Sequence, residues 1–182
     1  QEIFSEHGKK FREPKDILKL GYQDNDIINS VANALEINFQ TFLNEHQPYM
    51  NLEQVKNLKQ EGFSIGAHSI DHPEYRYIST EQQLFQTRGS CRFLKEHLDI
   101  SNCCFSFPFT DYGVSFRFFN IAGKYLSASF GCAGIKRDMT PNHYQRLAMD
   151  RNKLNAPEHI KTEYLSFVLK KIVNKHIVTH KA

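Results

Sequence analysis

The chain has 182 residues, of which 40% are apolar, 13% aromatic and 24% charged. This composition is typical of one globular domain with a buried core, and it excludes an intrinsically disordered chain. The net charge of +3 arises from 23 basic and 20 acidic residues that are mixed along the chain, which is too weak a bias for a nucleic-acid-binding protein.

The cysteines, the apolar stretches and the start of the chain are the basis for predicting its redox state, membrane spans and location. The cysteines include no Cys-x-x-Cys pair, and we predict four reduced core residues: Cys91, Cys103, Cys104 and Cys132. No stretch approaches the roughly 20 apolar residues that cross a bilayer, so no membrane span is expected. The chain begins with Gln1 and has no signal pattern. A preceding segment is therefore expected to be missing, and cytoplasmic and secreted locations both stay open.

The spacing of apolar residues divides the chain into helices and strands. In chain order we predict a helix at 24–38, a helix at 51–61, a strand at 63–67, a helix at 79–98, a strand at 103–107, a helix at 113–125, a strand at 126–134, a helix from Pro157 and a strand at 176–179. Such alternation is typical of a parallel α/β sheet or barrel. No repeat or linker interrupts it, so we expect one domain over residues 1–182.

Capping signals support several of these boundaries. Asn51 and Gln54 have the spacing of a capping box, and Gly62 follows at a position where a left-handed residue is common. Asp24 is suited to cap the helix at 24–38. Proline is favoured in the first turn of a helix, as at Pro157. The helix that starts there carries an apolar face formed by Ile160, Tyr164, Phe167, Val168 and Ile172.

Two histidines stand four residues apart in GAHSIDHPEY, just after the predicted strand at 63–67. Pro73 follows His72 directly and disfavours a helix there, so His68 and His72 belong to a loop. In α/β folds, the loops at the carboxyl ends of strands carry the reacting groups, and imidazole is a common ligand of divalent metal ions. The pattern indicates a metal site, but two histidines that only hydrogen-bond within a turn are the alternative.

A second polar loop follows the predicted strand at 103–107, in FSFPFTDYG. Pro108 ends the strand, and the next residues supply two aromatic rings, a hydroxyl and a carboxylate: Phe109, Tyr112, Thr110 and Asp111. Aromatic rings suit the apolar face of a sugar, while hydroxyl and carboxylate groups suit its hydroxyls. A simple turn in which Asp111 caps the next helix is the alternative.

These two stretches resemble the polysaccharide deacetylases, the carbohydrate esterases with a NodB-homology domain. LEQVKNLKQEGFSIGAHSIDHP, residues 52–73, is similar to the family segment in which a helix, a glycine, a strand and a His-Ser/Thr-x-x-His-Pro motif follow in order. FSFPFTDYG resembles the next family motif, an Arg-Pro-Pro-Tyr-like turn. It keeps Pro108 but has no arginine at Ser106 or Phe107. The resemblance extends over residues 48–150.

The resemblance implies a fold, a cofactor and a reaction. The fold would be α/β, a partial or distorted (β/α) barrel. His68 and His72 take the positions of the family's metal-binding histidines, and Ser69 that of the small hydroxyl residue that supports the loop. The cofactor would be a divalent metal, zinc above all. One wall of the substrate-binding groove would consist of Pro108, Phe109, Thr110, Asp111 and Tyr112. The reaction would remove acetyl groups from an N- or O-acetylated oligo- or polysaccharide.

Two motifs of the family are not matched. The Thr-Phe-Asp-Asp strand, which would supply the base and an acidic metal ligand, is not found; Asp24 and Asp26 begin a helix and are assigned to capping. The C-terminal Leu-His motif, whose histidine acts as general acid, is not found either; His176 and His180 lie at the predicted strand at 176–179 as alternatives for that histidine, and His180 is taken as the general acid. The chain thus resembles a domain that is incomplete at its N-terminus. A non-catalytic carbohydrate-binding relative and a purely structural α/β domain are the alternatives, and the oligomeric state is not predicted.

Overall fold

A computed structural model of the protein describes residues 2–149 and 155–181. The chain divides into two compact units after Gly62. The regular secondary structure of the described residues consists of helices and parallel strands, so the α/β class that the alternation predicts is confirmed. Within the same residues, no helix combines the length and the apolar character that a membrane span requires.

The first unit is helical. Its elements are α1 (Glu2–Glu6), 3₁₀ turns at Pro14–Lys19 and Tyr22–Asp24, α2 (Asn25–Ala34), α3 (Phe39–His46) and α4 (Leu52–Gln60). The capping box of α4 is confirmed, since Asn51 and Gln54 each accept the other's backbone N–H through a side-chain oxygen, both at 2.9 Å. Asp24 precedes α2 but does not cap it. Its carboxylate instead accepts the Gly21 N–H at 3.0 Å and pairs with Lys9.

The second unit holds the strands. Its elements are a 3₁₀ turn at Tyr75–Tyr77, α5 (Thr80–Leu98), β1 (Cys103–Ser106), α6 (Phe116–Ala122), β2 (Leu126–Gly131), β3 (Arg137–Asp138), β4 (His143–Gln145), α7 (Ala156–Ile172) and β5 (Ile177–Val178). One sheet has the strand order β1-β2-β4 and the other pairs β3 with β5, and each pairing is parallel. Parallel strands within a sheet point the same way, so the loops that follow them lie at one edge of that sheet.

The strand predicted at 63–67 is reduced to one bridge, so that prediction is wrong in extent. Ala67 pairs with Phe105. The Ala67 N–H donates to the Cys104 carbonyl at 2.8 Å, and the Ser106 N–H donates to the Ala67 carbonyl at 2.9 Å. Gly66 lies so close to the Cys104 carbonyl that an added Cβ would be 3.2 Å from its oxygen. The bridge still places the two histidines directly after a strand-like contact with β1.

A buried aromatic cluster forms the core beneath this edge. Tyr75, Phe105, Phe107 and Phe118 are 0% exposed, and their ring centroids lie 5.1 to 5.9 Å apart. Burying a side chain of this size contributes roughly 1.5–3 kcal/mol. The Tyr75 hydroxyl bonds to the Thr87 hydroxyl at 2.9 Å, so its polar atom is satisfied. The cluster holds α5, β1 and α6 together and thereby fixes the loop that follows β1.

A disulfide joins α5 to β1, through Cys91 and Cys103. The prediction of four reduced cysteines is therefore wrong for this pair, while Cys104 and Cys132 are free. The two bonded residues are 12 positions apart in sequence, and the turn between α5 and β1 brings their Cα atoms to 5.7 Å, within the range that a disulfide spans.

Candidate functional site

The loop that carries the two histidines is held in shape by polar contacts. Ser69 and His72 have positive φ values, 71° and 55°, a conformation that costs a non-glycine residue on the order of 1 kcal/mol. The Ser69 hydroxyl accepts the His72 N–H at 2.9 Å. Gln86 Oε1 on α5 accepts the N–H groups of Ile70 and Asp71, at 2.9 and 3.0 Å. These bonds offset the backbone strain and preform the loop.

The loop brings the two imidazoles together. His68 Nε2 lies 3.0 Å from His72 Nε2. His68 Nδ1 lies 2.8 Å from the Ser106 carbonyl oxygen. Because a carbonyl only accepts, the Nδ1 carries the proton, and the Nε2 of a neutral ring is left with its lone pair. Burial, and then the neighbouring His68, lower the pKa of His72 from its usual value, which favours the neutral ring that a metal ion requires.

The loop after β1 lies against one of these rings. Phe109 meets His72 edge-on, with ring centroids 4.8 Å apart, and is itself 54% exposed. Tyr112 is also exposed and Thr110 is half-buried, whereas Pro108 and Asp111 are buried. The structure thus places part of the predicted groove wall at the surface beside the histidines and part of it in the interior.

Asp111 belongs to a buried group of four ionisable side chains, called here the Asp–His cluster: Asp111, Asp138, His143 and His180. Asp111 follows β1, Asp138 ends β3, His143 begins β4 and His180 follows β5. The four side chains are at most 4% exposed. One donor atom from each lies within 4.8 Å of the others. Two carboxylates and two imidazoles are a donor set that could hold a metal ion.

Hydrogen bonds connect the cluster internally. Asp111 Oδ2 lies 3.1 Å from His143 Nε2, and Asp138 Oδ2 lies 3.2 Å from His180 Nε2. The amide nitrogen of Gln145 donates to both carboxylates, at 2.7 and 2.9 Å. Burial opposes the ionisation of Asp111, but hydrogen bonds, those from His143 and Gln145 first, outweigh it and hold the pKa of Asp111 well below its usual range.

A cavity of about 500 Å³ opens beside the cluster. It is lined mainly by residues 110–115 and 177–181. His180 is part of the lining, whereas His68 and His72 are not. The structure therefore brings His68, His72 and Phe109 of the predicted site together, and it places His180 with Asp111 in the cluster. The roles of these residues stay predictions.

The histidine pair supplies only some of the ligands that a metal ion requires. Two imidazole nitrogens converge, but no third His, Cys, Asp or Glu side chain from residues 2–149 or 155–181 joins them in a metal-binding group. A zinc site with an open position commonly has three protein ligands. The described residues thus supply two of the ligands that such a site needs and leave the anionic one unassigned.

The sequence patterns do not predict Asp138, His143 or Gln145. These residues lie on β3 and β4, which have two and three residues, too short for an alternation of apolar and polar residues to be recognised. The one available signal is the sequence HYQ at 143–145, in which a polar residue stands on either side of an aromatic ring. That pattern alone does not distinguish a site from a loop.

The sequence matches a protein family described as polysaccharide deacetylase over residues 24–125, more than half of the chain. The chain belongs to the polysaccharide deacetylase family. The resemblance inferred from the histidine motif is thereby confirmed. No curated protein matches the sequence.

A solved structure of the Streptococcus pyogenes deacetylase PplD, in complex with acetate, is similar to this polysaccharide deacetylase domain. The TM-score is 0.50 and the sequence identity is 14%, and the match covers 89% of this chain and 82% of that chain. At this identity the likeness shows the fold alone. Family and fold together support carbohydrate deacetylase activity.

Proposed function

We propose that the domain is a metal-dependent hydrolase that removes acetyl groups from an N- or O-acetylated carbohydrate. The observation that carries this proposal is the approach of His68 Nε2 to within 3.0 Å of His72 Nε2, in a preformed loop of a chain that belongs to a deacetylase family. Two imidazole nitrogens that converge at an accessible position are typical ligands of a divalent ion.

His68 and His72 would hold the metal, with zinc as the ion best suited to two imidazole nitrogens. When bound, the metal would acidify a water molecule and polarise the acetyl carbonyl. Two neighbouring residues, Ser106 and Ser69, orient these two ligands. The Ser106 carbonyl holds the proton of His68 on Nδ1, and the Ser69 hydroxyl holds the backbone of His72. Hydrogen bonds of this kind, from groups that do not touch the metal, fix the orientation of a histidine ring and which of its nitrogens faces the metal.

The accessible part of the loop after β1 would contact the sugar. Phe109 and Tyr112 are 54% and 72% exposed and offer ring faces, while Thr110 offers a hydroxyl. Pro108 and Asp111 are buried and would act by supporting the loop from beneath. The acetate in the PplD complex is the acid that hydrolysis of an acetyl group releases, which favours an acetylated substrate for this chain as well.

His180 is the proposed general acid. Its Nδ1 lies 3.2 Å from the Val114 carbonyl oxygen and its Nε2 lies 3.2 Å from Asp138 Oδ2. The carbonyl only accepts, so a proton resides on Nδ1, and the His180 residue lines the cavity. A positioned imidazole can transfer such a proton to a departing amine or alkoxide. Transfer requires one of these two bonds to open.

The base and the anionic metal ligand would come from chain outside the described residues. We therefore propose one domain that is incomplete at the N-terminus of this sequence, with the two sheets as parts of a partial or distorted (β/α) barrel. The family match at 24–125 runs through both compact units, which supports a single domain.

Deacetylation of acetylated chitooligosaccharides with added zinc tests the proposal. The 182-residue chain should be inactive, and a chain extended upstream in its reading frame should be active. In the extended protein, His68→Ala and His72→Ala should each abolish activity and remove one equivalent of zinc. His97→Ala removes an exposed histidine from α5 and should change neither.

Three results would count against the proposal. Rapid deacetylation by the short chain would mean that a carboxylate already present acts as the base, with Asp71 and Asp111 the first to replace. Sugar binding without hydrolysis by the extended protein would favour a non-catalytic carbohydrate-binding relative. Zinc binding that survives both histidine substitutions would place the metal away from His68 and His72.

A further inference from the structure

The Asp–His cluster poses an electrostatic problem. The donor oxygens of Asp111 and Asp138 lie within 4.8 Å of each other, and the two side chains are 3% and 0% exposed. Buried carboxylates at this separation repel each other and have lost their water, so each needs a cation or hydrogen-bond donors. Either a metal ion or a set of donors therefore has to lie between them.

Gln145 supplies donors at this position. Its Nε2 lies 2.7 Å from Asp111 Oδ2 and 2.9 Å from Asp138 Oδ2. The orientation of the amide is fixed from its other end, because the Ala133 N–H donates to Gln145 Oε1 at 2.7 Å. A backbone N–H can only donate, so its partner must be the oxygen, and the NH₂ group must face the cluster. The amide hydrogens thus point at the two oxygens that a cation would bind.

The Nε2 atoms of both histidine rings also face the carboxylates. His180 carries a proton on Nδ1, which faces the Val114 carbonyl, and its Nε2 lies 3.2 Å from Asp138 Oδ2. His143 lies with Nδ1 2.7 Å from the Ser129 hydroxyl and with Nε2 3.1 Å from the Asp111 carboxylate. Each carboxylate is thus faced by one ring and by the shared amide.

We propose that Gln145 is a positioning residue: it joins Asp111 to Asp138, holds Asp138 against His180, and keeps the Asp–His cluster a hydrogen-bonded network instead of a second metal centre. Its part in the reaction rests on the proposed function, because it acts on His180 through Asp138. The arrangement of the cluster itself does not depend on activity and can be tested in the 182-residue chain.

The first test is zinc titration by calorimetry in a His68→Ala/His72→Ala background, which removes the histidine pair. This parent should bind no zinc at the cluster. Adding Gln145→Glu replaces the amide donor with a third carboxylate, and the variant should gain one equivalent of zinc. Gln82→Glu makes the same change at an exposed residue at the start of α5, and it should gain none.

The second test is a spectroscopic signature of positioning. In the chain labelled with ¹⁵N at histidine, zinc added to the His68→Ala/His72→Ala parent should leave the ring signals of His143 and His180 unmoved. Gln145→Met keeps the length of the side chain but removes both donors, and it should shift the His180 signals. Gln82→Met removes an amide from a helix cap and should lower stability without moving them.

The proposal is overturned if the parent binds one equivalent of zinc with shifts at His143 and His180, since the cluster would then be a metal site. It is also overturned if folded Gln145→Glu binds no zinc, or if Gln145→Met leaves the His180 signals unchanged. Should either variant fail to fold, the titration of the parent still decides, because the parent has an unaltered cluster. If the extended protein failed to deacetylate, the proposed function would be wrong, but the zinc titrations and the histidine ring signals of the 182-residue chain would still test the role of Gln145.

Discussion

A single carboxylate, Asp111, depends on several neighbours. Its Oδ1 accepts the Cys132 N–H at 3.1 Å, and its Oδ2 faces His143 and Gln145. Gly131 lies directly against the carboxylate, and a Cβ added there would overlap it. Glycine is therefore needed at this position because a side chain would collide with the Asp111 carboxylate, and not because of an unusual backbone angle. The end of β2 and the loop after β1 are joined through this one side chain.

Replacing Asp111 with asparagine should make the free energy of unfolding fall less steeply as the pH is lowered into the acid range. Hydrogen bonds hold the pKa of Asp111 below the value of about 3.9 expected in the unfolded chain, so the unfolded state binds the proton more readily. The ionised group therefore contributes stability that is complete above about pH 4 and is lost as the pH falls towards the native pKa. Urea unfolding at several acid pH values should show a shallower slope for Asp111→Asn than for the natural chain.

Asp26→Asn provides the control for this measurement. Asp26 lies in the first turn of α2 and is exposed, so its replacement should leave the slope close to that of the natural chain. If Asp111→Asn and the natural chain lost stability in parallel on acidification, the carboxylate would not be held by the contacts described here.

At the residue scale, the sequence predicts the histidine pair but not the buried cluster. His68 and His72 are close in sequence and share one loop, so a short motif is sufficient to identify them. The cluster takes its four residues from four separate segments. Their approach depends on how β1, β3, β4 and β5 are placed, which is a property of the tertiary structure that periodicity does not contain.

At the element scale, local signals predict helices better than strands. The capping box predicted at the start of α4 is found, and α5 begins with another: the side-chain oxygens of Gln82 and Ser79 each accept the other residue's backbone N–H, at 2.9 and 3.2 Å. Strands depend on partners elsewhere in the chain, and 63–67 keeps only one bridge for that reason. The disulfide between α5 and β1 could not be read from spacing, because cysteine pairing depends on the fold.

Loss of this disulfide should lower the free energy of unfolding by about 3 kcal/mol, since it closes a short loop in the unfolded chain. The Cys91→Ala/Cys103→Ala variant should unfold at a lower denaturant concentration than the oxidised natural chain. Reductant should destabilise the natural chain in the same way and leave the double variant unchanged. Equal stability of the oxidised and reduced natural chain would show that the Cys91–Cys103 bond does not constrain the fold.

At the scale of the whole molecule, α7 differs from the other long helix of its unit. Residues on α5 contribute to the core, but within the described part of α7 only His159 is buried. The helix is found where the sequence predicts it. Of its predicted apolar face, Ile160, Tyr164, Val168 and Ile172 are exposed and Phe167 is half-buried, and the exposed Leu165 and Leu169 adjoin them. The exposed residues span one side of the helix. Contiguous apolar surface of this kind promotes association.

The 182-residue chain should therefore associate as its concentration rises, and a charge on this face should reduce the association. Leu169 is 56% exposed and lies about one helical turn from both Leu165 and Ile172, which are 62% and 73% exposed. Leu169→Lys places an ammonium group that would have to be desolvated in any contact there, and it should shift sedimentation velocity profiles towards the monomer. Leu169→Met retains apolar surface at the same position and should behave like the natural chain. If the natural chain stays monomeric at all concentrations, or if Leu169→Lys associates as strongly as Leu169→Met, this face does not drive association.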